Sequence, residues 1–570
     1  MPYSPELEIE YLARYSVDFR ADLKHPDFKA RYDQLAGELF RRNFFDKIRN
    51  WCDEHKLLFT GHLLEEHNIK EAHIASGDPL KATIGLSMPG VDEIFTRIGV
   101  DDFEWVTFAA GHWGIKQRGN GGLAELFALG PADMPPSRLN AMFHMAGMFG
   151  VNHYVLAVSA LDFRGNVPKP GYFFPATLDQ PYFADLKILS EDAGEAAVLA
   201  SKNSAPELGV RYLESCSCKL NELLKTLVKG QYPWHLLASD ESPTDEIEVI
   251  TLTENGIHLE YADCYFAMPG DLLVNLPQLL PRKVWVTDAQ DQIVQNIFLK
   301  QYADGSTAIL DLSDRPGCRC LKLHRNNEEA VFELHGREFC SFPGWKVERE
   351  SANTLRVAFD RYGKFEFHAD VPLELDFAIR TFEGVRIALD DREIAGNSAV
   401  KWLSDGFRPL YRSFRQTIPA GKHQITLLEG KDVYPYLPAL WLGGEFGCKN
   451  GHLFEDRCNG NGISEYAGAI NQSGTVKIPA NAIGISLECD GLDTELLING
   501  ESLGKRLYEP FFWNIPEEFR GKSVEVRIRR LTSIGPMFGN VTRFKNTFKS
   551  HYTEQYPIVH RVMELHYHLI

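Results

Sequence analysis

The sequence predicts a multidomain protein that is α/β in its first part and all-β in its second. Three observations lead there. Four short apolar runs alternate with helical stretches between residues 56 and 163. From about Ile293 onward, apolar and polar residues alternate one by one, with turn residues between the runs. And 570 residues exceed what one hydrophobic core can serve.

Taken in order, Asp27 to about His55 reads as one amphipathic helix. Phe28, Tyr32, Leu35, Leu39, Phe40, Phe44, Ile48 and Trp51 recur at helical spacing among charged residues. Next come the apolar runs KLLFTGH (56–62), KATIGLSMPG (81–90), GGLAELFALGP (121–131) and GVNHYVLAVSALDF (150–163). Such runs separated by helical crossovers indicate a parallel sheet, either part of a β/α barrel or a doubly wound sheet. Polar residues gather just after the runs: His62 with Glu65 and Glu66, then Asp92, Glu125 and Asp162. Residues 185–292 read as a small mixed α/β module, with a helix over YLESCSCKLNELLKTLV. Residues 293–342 read as a small β module and 343–570 as a β-sandwich.

Bulk properties exclude several classes of function. A net charge of −18 argues against nucleic acid or an anionic membrane as partner. No apolar run is long enough to span a bilayer, and MPYSPELEIEYLARYSVDF has no apolar core of a secretory leader, so the chain reads as cytoplasmic. The cysteines are scattered, without zinc-type CxxC pairs, and read as reduced thiols. No HExxH or GxxxxGK[ST] motif is present. No cofactor or metal is expected.

The runs TGHLLEE (60–66), SMPGVDEIF (87–95), GLAELFALGP (122–131) and GVNHYVLAVSALDFRG (150–165), in that order, resemble the second half of a glycoside hydrolase barrel. The likeness is to α-L-rhamnosidase-type family 106 proteins and related family 2-like hydrolases. KPGYFFPATLDQPYF (169–183) resembles the loop after the last barrel strand, and LLINGESLGKRLYEPFFWNIPEEFRGKSVEVRI (496–528) their galactose-binding-like sandwich. The resemblance implies strands 5–8 of a TIM-type (β/α)8 barrel over residues 1–184 and a galactose-binding-like jelly roll at the far end. It implies the C-terminal portion of a larger or split enzyme, its barrel completed by a second chain or second copy.

Glycoside hydrolysis needs two carboxyl groups, one to protonate the leaving oxygen and one as nucleophile or base. By resemblance Glu125 stands on the seventh strand as one of them, expected to be buried among Leu123, Phe127 and Leu129; the alternative is a structural ion pair. Its partner is expected outside these residues, with Glu65 the runner-up within them. Glu65 equally suits a helix start. Asp92 is a candidate for binding a sugar hydroxyl, or for capping a helix. Trp113, on a loop before Glu125, is a candidate for stacking on a sugar, or for core packing. His62 and Asp162 complete the candidate pocket. The implied function is O-glycosyl hydrolysis of a carbohydrate substrate; the alternative is a non-catalytic carbohydrate-binding or structural remnant of such an enzyme.

Overall fold

The structure is a computed structural model. It describes residues 4–156 apart from 94–102 and 129–133, residues 181–201, most strands and helices between 208 and 532, and residues 566–569. Mixed α/β architecture occupies the first part and several antiparallel sheets the second. No described helix is long and apolar enough to cross a membrane.

The chain opens with α1 (Pro5–Tyr15), α2 (Phe19–Asp22), α3 (Phe28–Phe40) and α4 (Asp46–Glu54). The single helix expected over 27–55 is interrupted by a π-helical turn at Arg41–Phe45. A π-turn carries an extra residue and rotates everything after it. The expected inward residues Phe44 and Trp51 are therefore 47% and 53% exposed, and Phe45 and Cys52 are buried in their place. Phe45 packs with Leu63, Ala82 and Leu86, which fixes the second phase.

Four parallel strands follow: β1 (Thr60–Gly61), β2 (Met88–Glu93), β3 (Gly122–Leu126) and β4 (Val151–Leu156), paired in the order β1-β2-β3-β4. The second apolar run enters its strand later than expected. Asp78 caps, and Pro79 opens, a short helix over Pro79–Thr83 before β2 begins. Crossovers are α5 (Ile69–Ser76) with α6 (Pro79–Thr83), then α7 (Trp105–Arg118), then α8 (Pro136–Met148). The helix α9 (Leu186–Ser201) packs on α8.

Strand alternation sorts the sheet into two faces. Val91, Ala124, Leu126 and Val151 enter one core with Phe108 and Ala109 of α7 and Leu139, Met142 and Phe143 of α8. Each large side chain so buried contributes roughly 1.5–3 kcal/mol. Gly111 lets α7 close on the sheet, because a Cβ there would lie 2.4 Å from Val91. Gly90, Asp92, Leu123, Glu125, His153 and Val155 occupy the other face, where Val155 is 42% exposed. The strands stand in sequential order, and α7 and α8 pack on the face that carries Val91, Ala124 and Leu126.

A second sheet has the order β6-β5-β7-β8-β9: β5 (Leu208–Tyr212), β6 (Trp234–Leu236), β7 (Glu248–Thr253), β8 (Gly256–Leu259) and β9 (Cys264–Phe266). Tyr212, expected to open a helix, ends β5; the helix α10 begins at Ser217 and runs to Lys229. Leu220, Leu223, Leu224 and Leu227, at i, i+3, i+4 and i+7, are fully buried and join the core of the parallel sheet.

Residues 343–570, expected as one sandwich, hold two hydrophobic cores among the described residues. Phe367, Leu375, Phe377, Ile425 and Leu442 centre the first; Leu496, Ile498, Trp513, Val526 and Ile528 centre the second. The strands Glu338–Ser341 and Lys346–Arg349 pair with His566–Leu569 and Ala469–Lys477, so the first sandwich is inserted after the opening strands of the second. The second sandwich meets the α/β part directly. Lys505 lies 3.2 Å from both Asp185 and Asp493, and Tyr508 Oη donates to Asp192 at 2.7 Å.

Candidate active site

The carboxyl ends of β1, β2 and β3 converge on one spot. His62 follows β1 directly. Asp92 stands one residue from the end of β2, and Glu125 occupies the same position on β3. Asp92 and Glu125 are paired in register, their side chains on the open face. The expectation that Glu125 is buried is not met: its side chain is 35% exposed beside Leu123, while Ala124 and Leu126 turn into the core. Leu129 lies outside the described residues.

His62 Nε2 lies 3.5 Å from Glu125 Oε2. Its other nitrogen, Nδ1, faces the Leu63 carbonyl at 3.0 Å. A carbonyl only accepts, so Nδ1 carries a hydrogen. Nε2 then meets Glu125 favourably only when a proton lies on the imidazole or on the carboxyl.

Beneath it, Glu66 ties β1 to β2. It is buried, and it accepts from the backbone N–H of Leu63 at 3.1 Å and from that of Asp92. Thr107 Oγ1 donates to the Glu66 carbonyl at 2.8 Å, pinning the turn to α7. Burial drives the Glu66 carboxyl well above the carboxylate range, and Asp92 and Glu93 push it further. Asp92 is pushed up to about 6, first by burial; His62 pulls it down and Glu125 pushes it up. Its Oδ1 is buried without a hydrogen-bond partner among the described residues. Phe127, two residues beyond Glu125, ends β3 at φ 72, a left-handed backbone costing a non-glycine residue about 1–2 kcal/mol.

The other candidates fall elsewhere. Glu65 sits in a left-handed turn at φ 59, half exposed, 3.3 Å from His67. The buried glutamate of that pair is Glu66, a residue whose role composition alone does not distinguish from its neighbour's. Trp113 is in α7 rather than a loop, buried on the helix-covered side of the sheet, with Nε1 donating to Glu241 at 2.7 Å. It borders a cavity of about 820 Å³ that is also lined by Arg14, Arg31, Lys81, Tyr212 and Glu241, away from Glu125. Asp162 and most of 169–183 lie outside the described residues.

No family model and no curated protein sequence matches the chain. Among solved structures, a rhamnosidase from Novosphingobium sp. PP1Y is similar with a TM-score of 0.40 at 10% identity, over 94% of this chain and 56% of that one. The chain thus spans little more than half the length of that enzyme. An anti-sigma factor domain-containing protein gives a TM-score of 0.09 at 11% identity, over 44% of this chain and 88% of that one. A GH31 α-xylosidase from Xanthomonas citri gives 0.11 at 10% identity, over 44% and 31%. At TM-scores below 0.5 these likenesses are too loose to assign either a fold or an activity.

Proposed function

We propose that the cluster of His62, Asp92 and Glu125 is the cleavage centre of a glycoside hydrolase. The observation that carries this reading is the pairing of Asp92 and Glu125 on one rung of adjacent parallel strands. Strands about 4.8 Å apart put both carboxyls within reach of one glycosidic bond, near the separation of about 5–5.5 Å that retaining hydrolysis uses.

The roles follow from the surroundings. Asp92, raised to about 6, keeps a proton in mildly acidic solution and is the general acid for the leaving oxygen. Glu125, accessible and beside His62, is the nucleophile or base. His62 positions it, and Glu66 fixes the backbone that presents Asp92. The second carboxyl is thereby supplied by the chain itself. In the same reading the four-stranded sheet is one wall of a (β/α)8 barrel, its open face the barrel interior, and Asp162 a further lining residue after β4. A sugar of the α-L-rhamnoside type is the substrate suggested by the sequence resemblance.

Hydrolysis of aryl α-L-rhamnosides, β-galactosides and β-glucuronides by the purified chain tests the proposal. Turnover of one of them, reduced at least about 10³-fold in Glu125→Gln, is expected. A chain that neither hydrolyses nor binds any of them, or turnover that survives Glu125→Gln, would overturn it.

A further inference from the structure

The first sandwich carries a second cluster of ligand-type side chains, unrelated to the site at Glu125. The strand Lys364–Ala369 runs parallel to His452–Phe454, with His368 opposite His452 and Ala369 opposite Leu453. Ala369 and Leu453 are fully buried, so alternation turns His368 and His452 outward on the same face. Asp370, two residues after His368, joins them, its backbone N–H held by the Leu453 carbonyl at 2.8 Å.

The side chains converge. His452 Nδ1 lies 2.9 Å, and His368 Nε2 3.7 Å, from Asp370 Oδ1, and the two imidazole centroids are 5.0 Å apart. One donor atom from each residue falls within 4.8 Å of the others. Tetrahedral zinc with bonds of about 2.1 Å spaces its ligand atoms about 3.4 Å apart, so small rotations of χ angles suffice. Cross-strand neighbours are Lys422 beside His368 and Lys449 beside His452. Lys422 is engaged by Glu366 at 2.7 Å.

We propose that His368, Asp370 and His452 bind a divalent transition-metal ion of the zinc type, which clamps the strand His452–Phe454 to Lys364–Ala369. Two imidazoles and one carboxylate suit Zn²⁺, Co²⁺ or Ni²⁺ and disfavour Ca²⁺ and Mg²⁺, which take oxygen ligands. The outward face leaves the fourth position to water. Ligation through Nδ1 leaves the neutral His452 imidazole with its hydrogen on Nε2.

The test uses the full chain, kept reduced, dialysed against buffered Zn²⁺ and analysed for bound metal, beside His368→Ala/His452→Ala and Asp370→Asn. Wild type is expected to hold one zinc equivalent more than the double variant at micromolar free Zn²⁺, and Asp370→Asn to bind about 10-fold more weakly. Zinc is expected to raise the melting temperature of wild type more than that of the double variant. Equal stoichiometry and an equal thermal response in wild type and double variant would overturn the proposal. Circular dichroism confirms that the exposed substitutions leave the sandwich folded.

Discussion

Asp92 and Glu125 share one rung of the parallel pair β2–β3, and His62 Nε2 reaches Glu125 at 3.5 Å from the end of β1. The two carboxyls differ in environment, one half-sunk and raised to about 6, the other open to solvent. Different environments divide acid from nucleophile. If Asp92 is the acid, Asp92→Asn loses far more activity on an alkyl glycoside, whose leaving group needs a proton, than on a dinitrophenyl glycoside. Glu125→Gln loses both about equally. Wild-type activity on alkyl glycosides is expected to fall as pH rises through about 6, as Asp92 gives up its proton. Equal losses for both substrates in Asp92→Asn would remove Asp92 from the acid role.

Glu65 offers a contrasting prediction. It holds a left-handed backbone at φ 59 and an exposed ion pair with His67. Exposed pairs contribute little, whereas glycine relieves the backbone strain. Glu65→Gly is expected to leave activity unchanged and to stabilise by up to about 1 kcal/mol in urea unfolding. A large loss of turnover would return Glu65 to the site.

His112 makes the α/β part acid-sensitive. Burial pushes its imidazole down to about 4, and its Nδ1 donates to the Phe149 carbonyl at 2.7 Å. The folded value lies below the unfolded one, so its stabilisation is complete above pH 6.5 and is lost as pH falls towards 4. The loss is on the order of 3 kcal/mol. Urea unfolding of His112→Asn between pH 7 and 4 should show a shallower decline than wild type; an identical slope would acquit His112.

Lys505 sits between Asp185 and Asp493, the latter side chain only 2% exposed. Lys505→Met strands two carboxylates between the second sandwich and α9. A loss of about 2–3 kcal/mol is expected, below the ~3–5 of a fully buried pair because Lys505 is 37% exposed. Burial and then Asp185 raise the Asp493 carboxyl to about 7, so the defect should be largest at pH 8 and shrink towards pH 5 as Asp493 takes up a proton. Thermal melts at the two pH values decide the matter.

Much of the architecture was legible because its signals are local. Glycine-bounded apolar runs marked β3 and β4, alternation marked the sandwiches, and the polar residues after each run included the three that converge. What was hidden depends on contacts distant in sequence. Glu65 and Glu66 are chemically identical neighbours, and the Leu63 and Asp92 N–H groups together select Glu66. Glu125 looked buried because its neighbours are apolar, yet alternation puts Ala124 and Leu126 inside and Glu125 outside. Trp113 stands eight residues into a helix whose start, at Trp105, carries no side-chain cap to announce it. Two sandwiches looked like one because an inserted sandwich leaves the alternation unbroken on both sides.

The π-turn at Arg41–Phe45 leaves the N-terminal helix with two competing frames. Phe44 and Trp51 advertise one, and Phe45 and Cys52 occupy the other. Phe40 touches both Phe44, at 5.3 Å, and Phe45, at 5.0 Å, so it can follow either ring inward. The segment is therefore a one-residue ratchet. Removing a single residue between Arg41 and Phe44 would regularise the helix and keep Phe45 facing inward in its present phase with Leu35, because the π-turn does no more than absorb one extra residue.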